Sequence, residues 1–282
     1  MGTFFRSWDL LGRSFAVLKS DKELLWLPVI SAFYCLAATL IICSAAIIVV
    51  VLPGPIPHDP VQLRLLGKEM VPFIFLFYFV TYSLASYFNL ALVSIASDRL
   101  AGGHATLNDG LQAAWKRKWR IIQWALLAAS VGVLLQLLER RLSFLGRIVT
   151  RVTGYVWTLA SFFVIPILAA EDMGPAEALY ESAEIFRNTW GEEVVGSFSF
   201  GLIFFLLALP GLLLPVLGAR LGPTGMFAGL AVTVTYWLLL GLISSAARGV
   251  FVAALFRYAT RQQVSAGFCL DDLSGAWQPK AF

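Results

Sequence analysis

Charged side chains are scarce in this sequence. Asp, Glu, Lys and Arg make up 13% of the 282 residues, whereas hydrophobic residues make up 59%. A soluble domain usually carries about 25% charged residues. The low charge excludes an ordinary soluble protein, because the chain has too few polar side chains to cover its apolar ones, and it favours lipid as the surrounding solvent. The formal net charge of +4 is too small to predict an acidic polymer as a partner, so nucleic-acid binding is not expected.

Residues that bind metals or act as nucleophiles are equally sparse. The three cysteines, Cys35, Cys43 and Cys269, show no metal-ligand spacing, and the two histidines, His58 and His104, lie far apart in the sequence. We therefore predict buried free thiols and no metal site. The long apolar runs contain no ionisable residue, which argues against proton-coupled transport. Their serines have no neighbouring base to activate them, so we predict no catalytic residue, no cofactor and no enzymatic activity.

Six long runs without any charge are the main positive signal. Each meets or nears the about 20 residues that cross the hydrocarbon core as a helix. The backbone must be helical there because lipid offers it no hydrogen-bond partner, and the continuous apolar pattern argues against alternating strands. The predicted fold is therefore all-α, a polytopic membrane protein with six transmembrane helices. The runs are Leu24–Leu52, Val71–Ser97, Ile121–Leu138, Val152–Ala170, Val194–Ala219 and Leu221–Ala247.

The distribution of basic residues predicts the orientation of these spans. An even number of spans puts both termini on one side, and 14 of the 21 Lys and Arg residues lie in the segments on that side. The positive-inside rule then places both termini in the cytoplasm, although the arginine-rich loop 139–151 opposes this assignment. No cleavable signal peptide is evident. We predict a single membrane domain over residues 1–260 and a cytoplasmic C-terminal tail over residues 261–282.

Three amphipathic segments, at about residues 4–19, 106–120 and 175–190, are predicted to form interfacial helices on the cytoplasmic side. In the second, Thr106 and Asp109 form a helix start signal after the stretch AGGHA, which we expect to be flexible. The second and third segments each follow an acidic residue and end at a tryptophan, a pattern typical of repeated two-helix units. The third segment is expected to have an apolar stripe made of Ala176, Leu179, Tyr180, Ala183 and Phe186.

The stretch AAWKRKWRIIQW, residues 113–124, combines tryptophans with cations. Indole rings prefer the headgroup layer of a bilayer, and each nearby cation gains roughly 1 kcal/mol from anionic lipid. Nucleic-acid binding uses similar residues, but these tryptophans share the apolar face of a helix that continues into a span. We therefore predict that anionic lipid headgroups are the partner of this segment, and that its basic side pairs with the acidic segment Glu177–Glu184. The predicted lipid-interface residues are Trp8, Trp115, Lys116, Arg117, Lys118, Trp119, Arg120 and Trp124.

Polar residues near the ends of the second and sixth runs are candidates for a pore or an anion site. If the sixth helix continues to Tyr258, it exceeds the thickness of the bilayer, and Arg248 lies near the cytoplasmic boundary. There the arginine either snorkels to a lipid phosphate or contributes to a pore mouth or anion site. The candidate residues for that site are Arg248, Asn89, Ser244 and Ser245.

Small residues and prolines mark helix packing in the last two runs. Gly225 and Gly229 start a pattern of small residues that permits close approach between helices, either within one protomer or between subunits. Pro210 and Pro215 interrupt the fifth run, either as tolerated kinks or as breaks that line a cavity. The predicted packing residues in the sixth helix are Gly241, Ser245, Gly249 and Ala253.

The stretches SWDLLGRSFAVLKSDKELLWLPVIS and AAEDMGPAEALYESAEIFRNTWGEEVVGSF, with the order of the elements, resemble a family of uncharacterised prokaryotic multi-spanning membrane proteins. The chain is similar in outline to the membrane domain that accompanies some glycerophosphodiester phosphodiesterases. The resemblance implies a helical membrane domain in the prokaryotic inner membrane, and it carries over no phosphodiesterase site.

These observations predict a non-enzymatic integral membrane protein that self-associates as a homo-oligomer and binds anionic lipid. An oligomeric channel or pore for ions or small solutes is the alternative function. An intramembrane lipid-modifying enzyme is a third, weaker interpretation.

Overall fold

Helices make up almost all of the described part of the chain, which contains no strand. The structure is a computed structural model that describes residues 22–52, 66–141, 144–190 and 199–261. A 3-10 turn at Lys22–Leu25 precedes the first helix, and a π-helical turn at Ile47–Val51 extends it. The helices are α1 (Trp26–Ala46), α2 (Val71–Leu100), α3 (Leu107–Lys116), α4 (Lys118–Arg141), α5 (Phe144–Ala160), α6 (Val164–Ala170), α7 (Pro175–Trp190), α8 (Ser199–Ala219) and α9 (Pro223–Arg261).

Five helical stretches in the described ranges are long and apolar enough to cross a membrane. The predicted fifth run differs, because its described apolar part, Phe204–Ala219, is shorter, and residues 194–198 lie outside the described part of the chain. The predicted interfacial helix at 4–19, with Trp8, and residues 262–282 of the predicted tail also lie outside it. The five stretches are Glu23–Val51, Leu66–Leu100, Lys118–Glu139, Val149–Ala170 and Pro223–Arg257.

The chain divides into two compact units that are discontinuous in sequence. Four helices, α1, α2, α3 and α7, run from one unit into the other, so the single domain predicted over residues 1–260 stays a prediction. One unit consists of Met1–Pro28, Leu92–Gly110 and Glu184–Phe282, and the other of Val29–Ala91 and Leu111–Ala183.

Antiparallel helix pairs are closed by ion pairs at corresponding ends in each unit. In the first unit, Arg99 at the end of α2 lies 3.3 Å from the Glu23 carboxylate, just before α1. In the second unit, Arg120 at the start of α4 lies 3.3 Å from the Asp172 carboxylate, just after α6. In the first pair the acidic residue precedes the earlier helix, and in the second pair it follows the later one. Each ion pair nevertheless joins the start of one apolar helix to the end of a later one.

Glycine allows the closest helix approach in the first unit, between α8 and α9. A Cβ atom on Gly229 would lie 2.6 Å from the Leu214 carbonyl oxygen, and one on Gly211 would lie 2.5 Å from Nε1 of Trp237. Gly218 and Gly225 face each other through their backbones in the same way. The close approach predicted for Gly225 and Gly229 is therefore confirmed, within one chain.

Side chains of α9 satisfy backbone carbonyls in the two proline-containing turns of α8. Pro215 has no N–H group to donate to the Gly211 carbonyl, and the buried Thr233 hydroxyl lies 2.9 Å from that oxygen. In the turn that includes Pro210, the Tyr236 hydroxyl donates to the Leu207 carbonyl, and Trp237 Nε1 donates to the Ala208 carbonyl at 3.0 Å. Both prolines lie inside a continuous helix. The helix interruption predicted at Pro210 and Pro215 therefore does not break α8. Side chains of α9 donate hydrogen bonds to the backbone carbonyls in the proline-containing turns.

The apolar run at 152–170 is not one helix, as the sequence predicted, but two. Residues 161–163 form a turn between α5 and α6, because Pro166 cannot donate to the carbonyl four residues earlier. The Phe163 N–H group, released from helical bonding, donates to the Ser182 hydroxyl of α7 at 2.9 Å. The helix α7 thereby supplies the acceptor for the Phe163 N–H group at the break.

The buried stripe of α7 also differs from the predicted one. Its buried residues are Ala178, Ser182 and Phe186, while Tyr180 is 74% exposed. Small side chains at 178 and 182 let α7 come close enough for the Ser182 contact with Phe163. The predicted stripe was right about Phe186 and wrong about Tyr180 and Ala176, both of which are exposed.

Candidate functional site

A structured turn connects α2 to α3. The N–H groups of Gly102 and Gly103 donate to the carbonyls of Arg99 and Asp98, each at 3.0 Å, and Gly102 has a φ of +89°. This is a Schellman helix end, which uses glycine in the left-handed region. The Asp98 carboxylate then accepts a bond from the Ala105 N–H at 2.9 Å. The stretch AGGHA, predicted to be flexible, is instead a hydrogen-bonded connection.

A reciprocal capping box begins α3, as the sequence predicted. The Thr106 N–H and hydroxyl donate to the Asp109 carboxylate at 2.8 and 2.7 Å, and the Asp109 N–H donates to the Thr106 hydroxyl at 3.3 Å. At the start of α7, the Gly174 N–H donates to the Glu177 carboxylate at 3.0 Å. The same three-residue spacing thus starts both helices, which supports the repeat predicted from the sequence.

The capping box makes this helix start sensitive to acid. Hydrogen bonds from the side chain and the backbone of Thr106 hold the pKa of Asp109 below its ordinary value of 3.8. A lowered pKa in the folded state contributes stability that is fully present above 3.8 and lost as pH falls through the lower, folded value. We expect Asp109→Asn to reduce the loss of melting temperature in that acidic window. Equal acid sensitivity of the variant and the wild type in thermal unfolding would contradict this.

Two tryptophans at the corner are exposed at the surface of the described structure. Trp115 ends α3 with 61% of its surface exposed, and Trp119 begins α4 with 67% exposed. The stripe continues along α4 through the exposed Ile122 and Leu126, at the spacing of one helix face. The predicted helix over 106–120 is broken at Arg117 between α3 and α4. An apolar surface therefore runs without interruption from the short amphipathic helix onto a span-length helix.

Cations surround these two rings. The Lys118 ammonium lies 4.0 Å from the centroid of the Trp115 ring, and Lys116 is exposed. The Nε atom of Arg117 is buried and has no hydrogen-bond acceptor within the described ranges. Arg120 makes an ion pair with Asp172, which precedes the acidic helix, so the predicted pairing with Glu177–Glu184 stays a prediction.

Trp124, predicted to face the lipid interface, lies in the interior of the second unit. Its side chain is 1% exposed, and its ring stacks on Trp157 with centroids 5.9 Å apart. Tyr82 lies against it at 6.4 Å. The Trp124 ring therefore packs α4 against α2 and α5. The prediction that Trp124 lies at the lipid interface was wrong. Trp157 was not singled out from the sequence, although it lies in an apolar run that indicated a packed helix.

The predicted pore or anion residues lie in different units. Asn89 is an exposed residue of α2 in the second unit, whereas Ser244, Ser245 and Arg248 lie on α9 in the first. Ser245 and Arg248 are exposed and Ser244 is half-buried.

The predicted packing stripe of α9 is buried along only half of its length. Gly249 and Ala253 are buried, whereas Gly241 and Ser245 are exposed. A Cβ atom on Gly241 would meet no atom within 4 Å. The first half of the stripe is therefore open, and the second half packs within the chain.

Two further arginines are functional candidates that the sequence did not single out. Arg99 donates through Nε to the Ala105 carbonyl at 3.0 Å, in addition to its ion pair with Glu23. Arg257 donates to the Ser97 carbonyl at 2.8 Å. Both bind near the carboxyl end of α2, where a cation is favoured by the helix dipole. The sequence feature that could have identified them is their position at the ends of long apolar runs.

No group of three or more His, Cys, Asp or Glu residues in the described ranges is placed to hold a metal ion. The absence of a metal or cofactor stays a prediction. Cys35 and Cys43 are free, and Cys269 lies outside the described residues.

The comparisons with known proteins assign the chain to a family. No curated protein matches the sequence. The model of a family of unknown function matches residues 69–268, which include most of the helices described above and the whole α3–α4 corner. The chain belongs to this family, DUF6159.

Proposed function

We propose that this protein is a non-enzymatic integral membrane protein whose α3–α4 corner binds the headgroups of anionic lipids. The observation that carries the proposal is the exposure of Trp115 and Trp119 beside Lys116, Arg117 and Lys118. Exposed indole rings are suited to the headgroup layer. The cations lie at the start of a span-length helix, which is the depth of lipid phosphates.

The proposed topology has six spans with both termini in the cytoplasm of a prokaryotic cell. In this proposal α8 is the fifth span along the chain and completes the six, since its apolar run begins before the described residues. The α3–α4 corner then lies on the cytoplasmic side, where the positive-inside rule places it. The likeness in outline to the membrane domain that accompanies some glycerophosphodiester phosphodiesterases stays a prediction.

Self-association is the second part of the proposal. The exposed Gly241 and Ser245 leave one face of α9 open to close approach by another helix. The exposed Asn89 and Arg248 on span-length helices support it, because polar side chains facing lipid are costly. The same exposure is the observation that favours the alternative, an oligomeric channel or pore lined by these residues.

Native mass spectrometry of the full-length protein tests lipid binding and subunit number together. At about 1 kcal/mol for each cation, the triple substitution Lys116→Gln, Arg117→Gln and Arg120→Gln should reduce the retention of phosphatidylglycerol roughly a hundred-fold. Asp172→Asn is the matched control, because it breaks the Arg120 ion pair without removing a cation, and it should retain the lipid.

Two outcomes would contradict the proposal. A monomer without bound lipid would defeat it, and undiminished lipid in the triple variant would assign binding to another surface. Recordings in planar bilayers separate the alternative function. A current that changes in Arg248→Ala or Asn89→Ala would support a channel.

A further inference from the structure

The tryptophans of the α3–α4 corner could attract two different kinds of headgroup. An exposed indole face binds quaternary ammonium groups through cation–π attraction, so an uncovered Trp115 would favour the choline of a zwitterionic lipid. Lysine and arginine beside it would favour the phosphate of an anionic lipid instead. The position of Lys118 decides between them.

Lys118 places the chain's own cation against the Trp115 ring. Its ammonium lies 4.0 Å from the ring centroid, which is the position that a choline group would take. A second cation at this ring is then opposed by charge repulsion. The ring contacts the Lys118 ammonium on one side only. The N–H groups on its other side can therefore still donate to an acceptor from outside the chain.

Two neighbours add to the same preference. Lys116 is exposed, and Arg117 carries a buried Nε atom without an acceptor in the described part of the chain. Within the described residues, no carboxylate forms an ion pair with Lys116, Arg117 or Lys118. An anionic phosphate would accept from the ammonium groups of Lys116 and Lys118 beside the charge of Arg117, whereas the net neutral phosphocholine group brings a cation along with its phosphate.

We infer that Lys118, by occupying the face of Trp115, makes the α3–α4 corner select anionic phospholipid headgroups and reject choline headgroups. The inference rests on the proposed lipid binding and specifies its ligand. The occupant is a lipid rather than a soluble phosphate, because Trp119, Ile122 and Leu126 continue the site along α4 as an exposed apolar stripe.

The test compares bound lipids on the full-length protein, equilibrated with equal amounts of phosphatidylglycerol and phosphatidylcholine of identical acyl chains. Native mass spectrometry gives the amount of each lipid retained. We expect the wild type to retain mostly phosphatidylglycerol. Lys118→Met should lower that preference on the order of three-fold or more and raise the retained phosphatidylcholine.

Lys116→Met is the matched control, because it removes the same charge without uncovering a ring. It should reduce phosphatidylglycerol and leave phosphatidylcholine unchanged. Adding Trp115→Leu to Lys118→Met should remove the gained phosphatidylcholine.

The outcomes separate the inference from the proposed function. Equal retention of both lipids by the wild type would overturn the proposed lipid binding. If the wild type prefers phosphatidylglycerol but the Lys118→Met and Lys116→Met variants retain the same lipids, only the inference is overturned. Lys118 would then act as a charge alone. Displacement of the lipid by inorganic phosphate would show a site for a soluble anion and would also overturn it.

Discussion

Gly229→Ala is expected to destabilise the protein, whereas Gly132→Ala should stabilise it or leave it unchanged. Both glycines lie inside helices, where alanine is the better helix former by up to about 1 kcal/mol. The added methyl group of Gly229→Ala meets the Leu214 carbonyl at 2.6 Å and Pro215 Cα at 2.9 Å. Separating α8 from α9 to admit it should cost about 1–3 kcal/mol, which reverses the sign set by helix propensity.

Gly132 is the matched control because a Cβ atom there would meet no atom within 4 Å. The free energy of unfolding can be measured in mixed micelles by titration with a denaturing detergent. The difference in sign between the two variants is the decisive result. Two alanine variants of equal stability would mean that α8 and α9 approach less closely than the Gly229 geometry requires.

Thr233→Val is expected to lower stability by about 1–3 kcal/mol. The hydroxyl lies 2.9 Å from the Gly211 carbonyl and 2.8 Å from the Gly229 carbonyl, and it shares its one proton between them. The Gly211 oxygen depends on this donor because Pro215 provides none. Valine has nearly the same shape, so the loss reports the hydrogen bond rather than packing.

Two comparisons isolate that bond. Thr235→Val removes a hydroxyl that donates at 2.9 Å only to the Ala231 carbonyl in its own helix turn, and this exposed variant should be nearly neutral. Pro215→Ala restores a backbone N–H for Gly211, so Thr233→Val should cost far less in that background. The coupling energy of this double-mutant cycle should be about 1–2 kcal/mol, and a value near zero would contradict the assignment.

The class of fold could be predicted from the sequence because lipid imposes a strict condition on composition and backbone. Charge-free runs of sufficient length have to be helical there, and five helical stretches long and apolar enough to cross a membrane are present in the described residues. Thr106 and Asp109 could also be predicted, since a capping box is a local interaction between residues three positions apart.

The inward faces of the helices could not be predicted in the same way. In a soluble protein the large apolar residues mark the interior, but in lipid they face both the solvent and the neighbouring helices. Trp115 and Trp124 therefore look alike in the sequence but differ in burial. Trp115 is exposed, whereas Trp124 is buried and stacked on Trp157. In α7 the small residues Ala178 and Ser182 are buried, whereas the larger Tyr180 is exposed.

Contacts between distant residues were also beyond sequence reasoning. The proline at 166 indicates a break, but nothing local to it identifies Ser182 as the acceptor for Phe163. The Glu23–Arg99 ion pair joins residues 76 positions apart. The two cations at the end of α2, Arg99 and Arg257, acquire their roles only when the helices are assembled.

The dependence of α8 on α9 has a consequence for biosynthesis. The ribosome makes α8 first, and its Gly211 carbonyl has no donor until Thr233 has been translated. If α8 spans the membrane as proposed, an isolated α8 would carry that unsatisfied oxygen into the hydrocarbon at a cost of several kcal/mol. The proposed topology therefore favours insertion of the two helices together, as a preformed hairpin.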